Sequence, residues 1–239
     1  MNFDLTEDER LIQQTARDFA DRVLKPRAAE FDRNGHVPRE MLSQMAELGF
    51  MGMLVPEEFG GSGLNNFCLA LVQMEINRAC ASTGVTMSVH NSLLSSPLIR
   101  FGTDAQKRTY LPRLAKAELI GAYSLSEPGS GSDAGALRAT AFKQDGHWLL
   151  NGTKNFVTNG GIADLFIVFA RTHPDPALKT KGVSHTIGIP RQSFVLNAVG
   201  SNLGSMFVIL DDFEHRHDHT LSAGEITRIL QRQFYTEVL

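Results

Sequence analysis

Apolar positions in the first half of the chain recur at steps of three and four. Leu11, Ile12, Ala16, Phe19, Ala20, Val23 and Leu24 trace one face of a long helix. Thr6 and Glu9 stand just before it at the spacing of a capping box, in which hydroxyl and carboxylate satisfy each other's end amides. Pro38 opens a second helix, with Met41, Leu42, Met45 and Leu48 on its inner face and Gly49 as its stop. Pro56 and the cluster Gly60, Gly61, Ser62 and Gly63 break the pattern. A third helix follows on Leu69, Val72, Ile76 and Ala79. The apolar, small-residue stretch from Ser82 to Phe101 predicts buried helices. Asp104 is expected to cap a short helix reaching Tyr110, Pro112 to interrupt it, and Ala115 to Glu118 to form a last helical turn.

Near Gly121 the period changes from helical to strand-like. Ala122 to Leu125 predicts a short strand, and Ala139, Ala141 and Phe142 belong to another. Trp148, Leu149 and Leu150 run into Asn151-Gly152, a hairpin turn signal. Asn155 to Thr158 is read as a further strand, Asn159-Gly160-Gly161 as a second turn, and Leu165 to Ala170 as a buried strand. Helices followed by strands make an α+β chain, an all-helical domain and then a small β-sheet or barrel domain. The expected divisions are 1–119 for the helical domain, 120–184 for the β domain and 185–239 for a tail.

Composition narrows the function classes. The 239 residues carry 23 Lys+Arg against 26 Asp+Glu, a net charge of −3, which lacks the basic excess of a dedicated nucleic-acid binder. No run of about 18 apolar residues appears, so no membrane-spanning helix is expected. The acidic start MNFDLTEDER reads as neither a signal nor a transit peptide. Cys68 and Cys80 lie in apolar helical surroundings with no metal spacing, as small buried hydrophobes of a reducing, cytoplasmic setting.

The most informative segment is YSLSEPGSGSDAG, Tyr123 to Gly135. Its glycines at 129, 131 and 135 miss the dinucleotide fingerprint by one residue, and no phosphate-loop motif is present. Small residues still let a backbone approach a ligand closely, and Ser126, Ser130 and Ser132 add hydroxyls without bulk. Alone, such a loop is more often an ordinary surface turn. The second segment is KNFVTNGG, Lys154 to Gly161. Strand alternation would put the Phe156 ring and the Thr158 hydroxyl on one face, a seat for a flat heteroaromatic group. Alone, a phenylalanine there is more often core.

Together, YSLSEPGSGSD, NGTKNFVTNGG and ADLFIVFA, in that order, resemble the middle β domain of the acyl-CoA dehydrogenases. LVPEEFGGSG, SVHNSL and FGTDAQKRTYLPRLAKAELIGAYSLSEPG are similar to that family's N-terminal helical domain and its junction with the β domain. The resemblance covers about residues 1–184. It implies FAD-dependent α,β-dehydrogenation of an acyl-CoA thioester, with hydride passing to flavin N5. It implies cofactor contacts from Tyr123, Leu125, Ser126, Gly131, Ser132, Phe156 and Thr158. Ser132 would also meet the substrate, Phe156 would pack on the flavin ring, and Thr158 would bond near N5. His90, Asn91 and Ser92 would lie near the acyl pocket, with helix capping an equal alternative, and Glu127 would be structural. An electron-transfer flavoprotein-like acceptor and a homo-oligomer are the implied partners, with no nucleic acid and no membrane.

The family's base is a glutamate on a C-terminal helical bundle, which the resemblance does not find before Leu239, so no residue here is assigned as catalytic. The chain reads as a truncated form with little or no turnover. A non-catalytic remnant or a chimeric junction product is the alternative, and an acyl-CoA oxidase-like flavoprotein the alternative within the fold. After Ser184 the pattern is lost. Residues 186–234, with a strand at Met206 to Leu210 and a helix at Ser222 to Phe234, resemble the porter region of RND-type efflux transporters. Glu214, His215, His217, Asp218 and His219 read as a solvated turn rather than a metal site.

Overall fold

The computed structural model describes residues 4–145 and 147–172, together with the backbone of four later strands. The described chain divides into two compact units. The first is Met1–Tyr123 with Thr158–Leu165, and the second is Ser124–Val157 with Phe166–Leu239.

The first unit is helical and its entry follows the capping rule. Thr6 Oγ1 accepts from Glu9 N at 3.3 Å and Glu9 Oε2 accepts from Thr6 N at 2.8 Å, opening α1 (Glu7–Phe19). The predicted long helix continues, through one π turn at Ala20–Leu24, into α2 (Lys25–Asn34). Pro26 has no N–H to offer the preceding turn, and the π turn widens the spiral just before it. The second helix, α3 (Arg39–Glu47), buries Met41, Leu42 and Met45 completely. Leu48, expected inside, is 42% exposed, because the helix ends one residue earlier and the chain turns at Gly49 (φ 78°).

Three further stretches complete the unit. They are α4 (Asn66–Ala79), α5 (Ala81–Ser88) running through a π segment at Val89–Ser95 into α6 (Ser96–Phe101), and α7 (Asp104–Ala115). The cap of α7 is Thr103 with Gln106, not Asp104. The helix also carries Pro112 within it rather than stopping there. Leu111 and Leu114 are fully buried on either side of that proline, so packing outweighs one lost backbone bond. Cys68 and Cys80 are buried free thiols, as expected.

Buried polar groups stitch this core. Glu75, 4% exposed, bridges α4 to α1 by accepting from Arg17 at 2.7 Å and Gln13 at 3.2 Å. Asn91 donates to Phe50 O and Met87 O and accepts from Met53 N, closing the turn after α3 onto the π segment. His90 is fully buried. Its Nε2 faces Leu114 O at 3.0 Å and its Nδ1 accepts from Gly121 N at 3.1 Å, which fixes a neutral ring with the proton on Nε2. Burial holds its pKa down to about 4. Gly121 is required there, since a Cβ would come within 2.1 Å of Leu94 Cδ2.

The strands are short. β1 (Gly121–Ser124) pairs with β4 (Leu165–Val168), and the division between units falls inside both. In the second unit, β2 (Thr140–Gln144) and β3 (His147–Asn151) form an antiparallel hairpin with Gln144 opposite His147. The hairpin therefore turns between Gln144 and His147, not at Asn151-Gly152. Asp145 adopts the positive φ of 51° that a two-residue primed turn demands. Arg171 adds a bridge to Thr140 on the other edge, through Ala141 N–Arg171 O and Arg171 N–Ala139 O bonds of 2.7 Å. One apolar cluster among the described residues of this unit gathers on the hairpin. Ala139, Ala141 and Ala170 are buried, with Trp148 and Leu150 against them. Further along, β5 (His185–Ile189) pairs with β8 (Ser205–Ile209), which meets the predicted strand at Met206, and β6 (Gln192–Ser193) pairs with β7 (Ala198–Val199). The predicted helix Ser222 to Phe234 and the histidine-rich turn lie outside the described residues.

Candidate functional site

The candidate residues divide between the two units. In the helical unit they are Tyr123 and Thr158. Tyr123 lies in β1, half-buried, and burial pushes its phenol pKa up. Thr158 opens the turn Thr158–Ile162. That turn is pinned by Asn159, at φ 66°, whose side-chain amide donates to Gly121 O at 2.9 Å and Thr86 O at 3.3 Å. Asp164, fully buried, anchors its other end by accepting from Ile120 N at 3.0 Å and from Arg39, which also donates to Ile162 O at 2.7 Å.

In the second unit are Leu125, Ser126, Gly131, Ser132 and Phe156. Leu125 and Ser126 are half-buried, and their carbonyls are already engaged. Lys154 Nζ donates to Leu125 O at 2.9 Å, and Asn155 N donates to Ser126 O at 2.8 Å. Gly131 and Ser132 are exposed at the tip of the glycine loop, and no atom lies within 4 Å of where a Cβ on Gly131 would stand. Backbone is thus open to a ligand there.

Phe156 departs from the strand expected of it. Residues 153–157 form no strand, and Phe156 has φ 54°, so alternation does not relate it to Thr158. Its ring is 94% exposed. A left-handed phenylalanine costs roughly 1–2 kcal/mol, and an aromatic ring in water gains nothing from burial. The carbonyl bonds at Leu125 and Ser126 hold the segment in place regardless. A ring displayed this way fits a flat apolar surface laid upon it, as an isoalloxazine would offer.

Sequence reasoning named Glu127 as structural and did not single out Lys154. The two form a buried ion pair, Nζ to Oε1 at 2.7 Å, with side chains 11% and 5% exposed. Glu127 also accepts from Ala139 N at 2.9 Å and Arg138 N at 2.5 Å. Burial opposes the Glu127 charge, but the bonds from Lys154, Arg138 and Ala139 outweigh it and hold the carboxyl below its ordinary pKa. Burial pushes the Lys154 ammonium below its ordinary value against the pull of Glu127. The available signal was one Glu in YSLSEPGSG and one Lys in KNFVTNGG, each the sole charged residue of its stretch. His90 and Asn91, read as candidates near an acyl pocket, are both fully buried and committed to backbone partners within the helical unit. Ser92 bonds back to Ser88 O at 2.7 Å. Among the described residues no group of three or more His, Cys, Asp or Glu is placed to hold a metal, and no helix is long and apolar enough to cross a membrane.

The layout is a helical unit and a β-containing unit with an exposed glycine loop. Residues 6–118 match the acyl-CoA dehydrogenase N-terminal domain and residues 122–205 match the acyl-CoA dehydrogenase middle domain, so the chain belongs to the acyl-CoA dehydrogenase family. It is 42% identical over 184 residues to the short-chain specific acyl-CoA dehydrogenase of Clostridium acetobutylicum, covering 77% of this chain and 48% of that protein. Butyryl-CoA dehydrogenase from Megasphaera elsdenii superposes with a TM-score of 0.71 at 30% identity, over 88% of this chain and 57% of that one. The FAD complex of PigA superposes with a TM-score of 0.70 at 31% identity, over 89% and 57%. The chain spans about half the length of the curated relatives it matches. The middle-domain match runs past Ser184 to residue 205. The match thus reaches beyond the resemblance read to about residue 184, and nothing in the comparisons supports the transporter resemblance of the tail.

Proposed function

We propose that this chain carries the FAD seat of an acyl-CoA dehydrogenase, in which an acyl-CoA thioester loses its α proton to a carboxylate base and a hydride from its β carbon. The observation that carries the reading is Phe156, a ring 94% exposed on a backbone segment fixed by two carbonyl bonds. Tyr123, Leu125, Ser126, Gly131, Ser132, Phe156 and Thr158 would hold the cofactor, and Ser132 would also meet the thioester arm. Bound there, FAD supplies the hydride acceptor. Electrons then leave to an electron-transfer flavoprotein-like acceptor. The relatives' printed names, butyryl-CoA dehydrogenase among them, support a short acyl chain.

Three described carboxylates are buried, and each is committed elsewhere. Glu75 holds Arg17 and Arg78, Asp164 holds Arg39 and Ile120 N, and Glu127 holds Lys154 and two backbone amides. None is within our assignment of a base, so we expect this chain by itself to turn over little. We place the helical domain at 1–119 and open the β domain at 120. The match through residue 205 supports carrying it past 184. The two free thiols support a cytoplasmic setting.

The visible spectrum of the purified chain, loaded with FAD and then given butyryl-CoA, tests the reading. The expected result is a bound yellow chromophore that does not bleach. A folded chain that stays colourless overturns the seat, and prompt bleaching overturns the assignment of no base.

A further inference from the structure

We propose that Lys154 and Glu127 are a positioning pair. This one ion pair touches no ligand, yet it sets all three backbone segments that present the second unit's cofactor contacts. The inference rests on the FAD reading above.

Three pieces of chain meet at the pair. Lys154 Nζ reaches Leu125 O at 2.9 Å and Glu127 Oε1 at 2.7 Å, so one ammonium fixes the end of the Leu125–Glu127 stretch. The Glu127 carboxylate accepts from Arg138 N and Ala139 N, which closes the neck of the glycine loop. Lys154 itself lies on the third piece. Its neighbour Asn155 donates to Ser126 O at 2.8 Å, and Phe156 comes next. Above the neck the loop is braced from inside. Glu127 N donates to Ser130 O at 2.8 Å, Ser130 N donates to Glu127 O at 3.1 Å, and Ser130 Oγ donates to Asp133 O at 2.7 Å. Gly131 and Ser132 stand exposed beyond these bonds.

The bonds at the pair lie out of water, since the Lys154 and Glu127 side chains are 11% and 5% exposed. Charge-assisted bonds out of water are stronger than neutral ones and strict in direction. A purely structural role makes a different prediction. A buried pair broken on one side destabilises because a charge is left alone, and removing both charges relieves that penalty. If the pair positions the loop, removing both charges restores stability but not geometry.

The test uses the full chain and the variants Lys154→Met, Lys154→Arg and the double variant Lys154→Met with Glu127→Gln. Thermal midpoint and FAD dissociation constant are read on each. We expect Lys154→Met to weaken FAD binding at least tenfold and Lys154→Arg to recover most of it. The double variant should regain much of the lost thermal midpoint while its FAD affinity stays at least tenfold weak. A double variant that binds FAD within twofold of the unaltered chain overturns the proposal. If the unaltered, folded chain binds no FAD, the functional reading fails, and amide exchange judges the pair separately. Faster exchange in Lys154→Met at Arg138, Ala139 and Asn155, with Met53 unchanged, supports positioning. Unchanged exchange at all of them overturns it.

Discussion

The two units solve the problem of holding a shape in different ways. The helical unit buries Phe31, Leu24, Met41, Leu42, Met45, Met51, Ile76 and Met87 to 2% exposure or less, and its buried polar side chains are stitches in an already dense core. Around the glycine loop of the second unit, the geometry hangs instead on one lysine–glutamate pair and a handful of carbonyl bonds. A dense core spreads its stability over many contacts, each worth little alone. The glycine loop concentrates it in directional bonds. That leaves side chains such as Phe156 exposed and available, whereas the helical unit has spent its polar groups on itself.

The comparison can be broken first at Asn91. Asn91→Ala removes three hydrogen bonds from a fully buried side chain, those with Met53 N, Phe50 O and Met87 O, so a loss of about 3–5 kcal/mol is expected in urea unfolding. A loss under about 1 kcal/mol would mean that the helical core tolerates missing stitches.

His90 gives the next largest effect, through pH. Its folded pKa of about 4 lies below the ordinary 6.5, so the unfolded chain binds the proton more readily. The neutral ring contributes fully above pH 6.5, and the contribution fades as pH falls and is gone below about 4. At 1.36 kcal/mol per pH unit it is worth about 3 kcal/mol. Urea midpoints should fall across that window. Replacing His90 with Gln should flatten the dependence, and an unchanged slope would show that the ring is not the source.

Smaller effects sharpen the contrast. Thr103→Ala removes the cap of α7 and should cost about 1 kcal/mol. Phe156→Ala should shift stability by less than about 0.5 kcal/mol, because the ring buries almost nothing. A large loss there would place Phe156 in the fold rather than at a surface for a ligand.

Much of the architecture was legible in the residues. The Thr6–Glu9 box, the inward face of Met41, Leu42 and Met45, the change of period at Gly121 and the buried strand at Leu165 all follow from local spacing. The misreadings have physical causes. Pro112 stays within a helix because Leu111 and Leu114 bury on both sides of it. The hairpin closes between Gln144 and His147 because strand pairing, not the strength of an isolated turn signal, selects the register. Phe156 leaves the strand pattern because Lys154 and Asn155 tie the preceding backbone to Leu125 and Ser126. The ion pair itself joins positions far apart in the chain, which periodicity cannot reveal. Of the candidate site, the sequence supplied the residues and the fold supplied their partners.

The central claim is that the chain holds an FAD seat built around an exposed Phe156. Titration of the folded chain with FAD, followed by flavin fluorescence, tests it most directly. The account predicts saturable quenching at one FAD per chain, weakened at least tenfold in Phe156→Ala with the thermal midpoint unmoved. Absence of saturable binding, or equal binding by the variant, would contradict it.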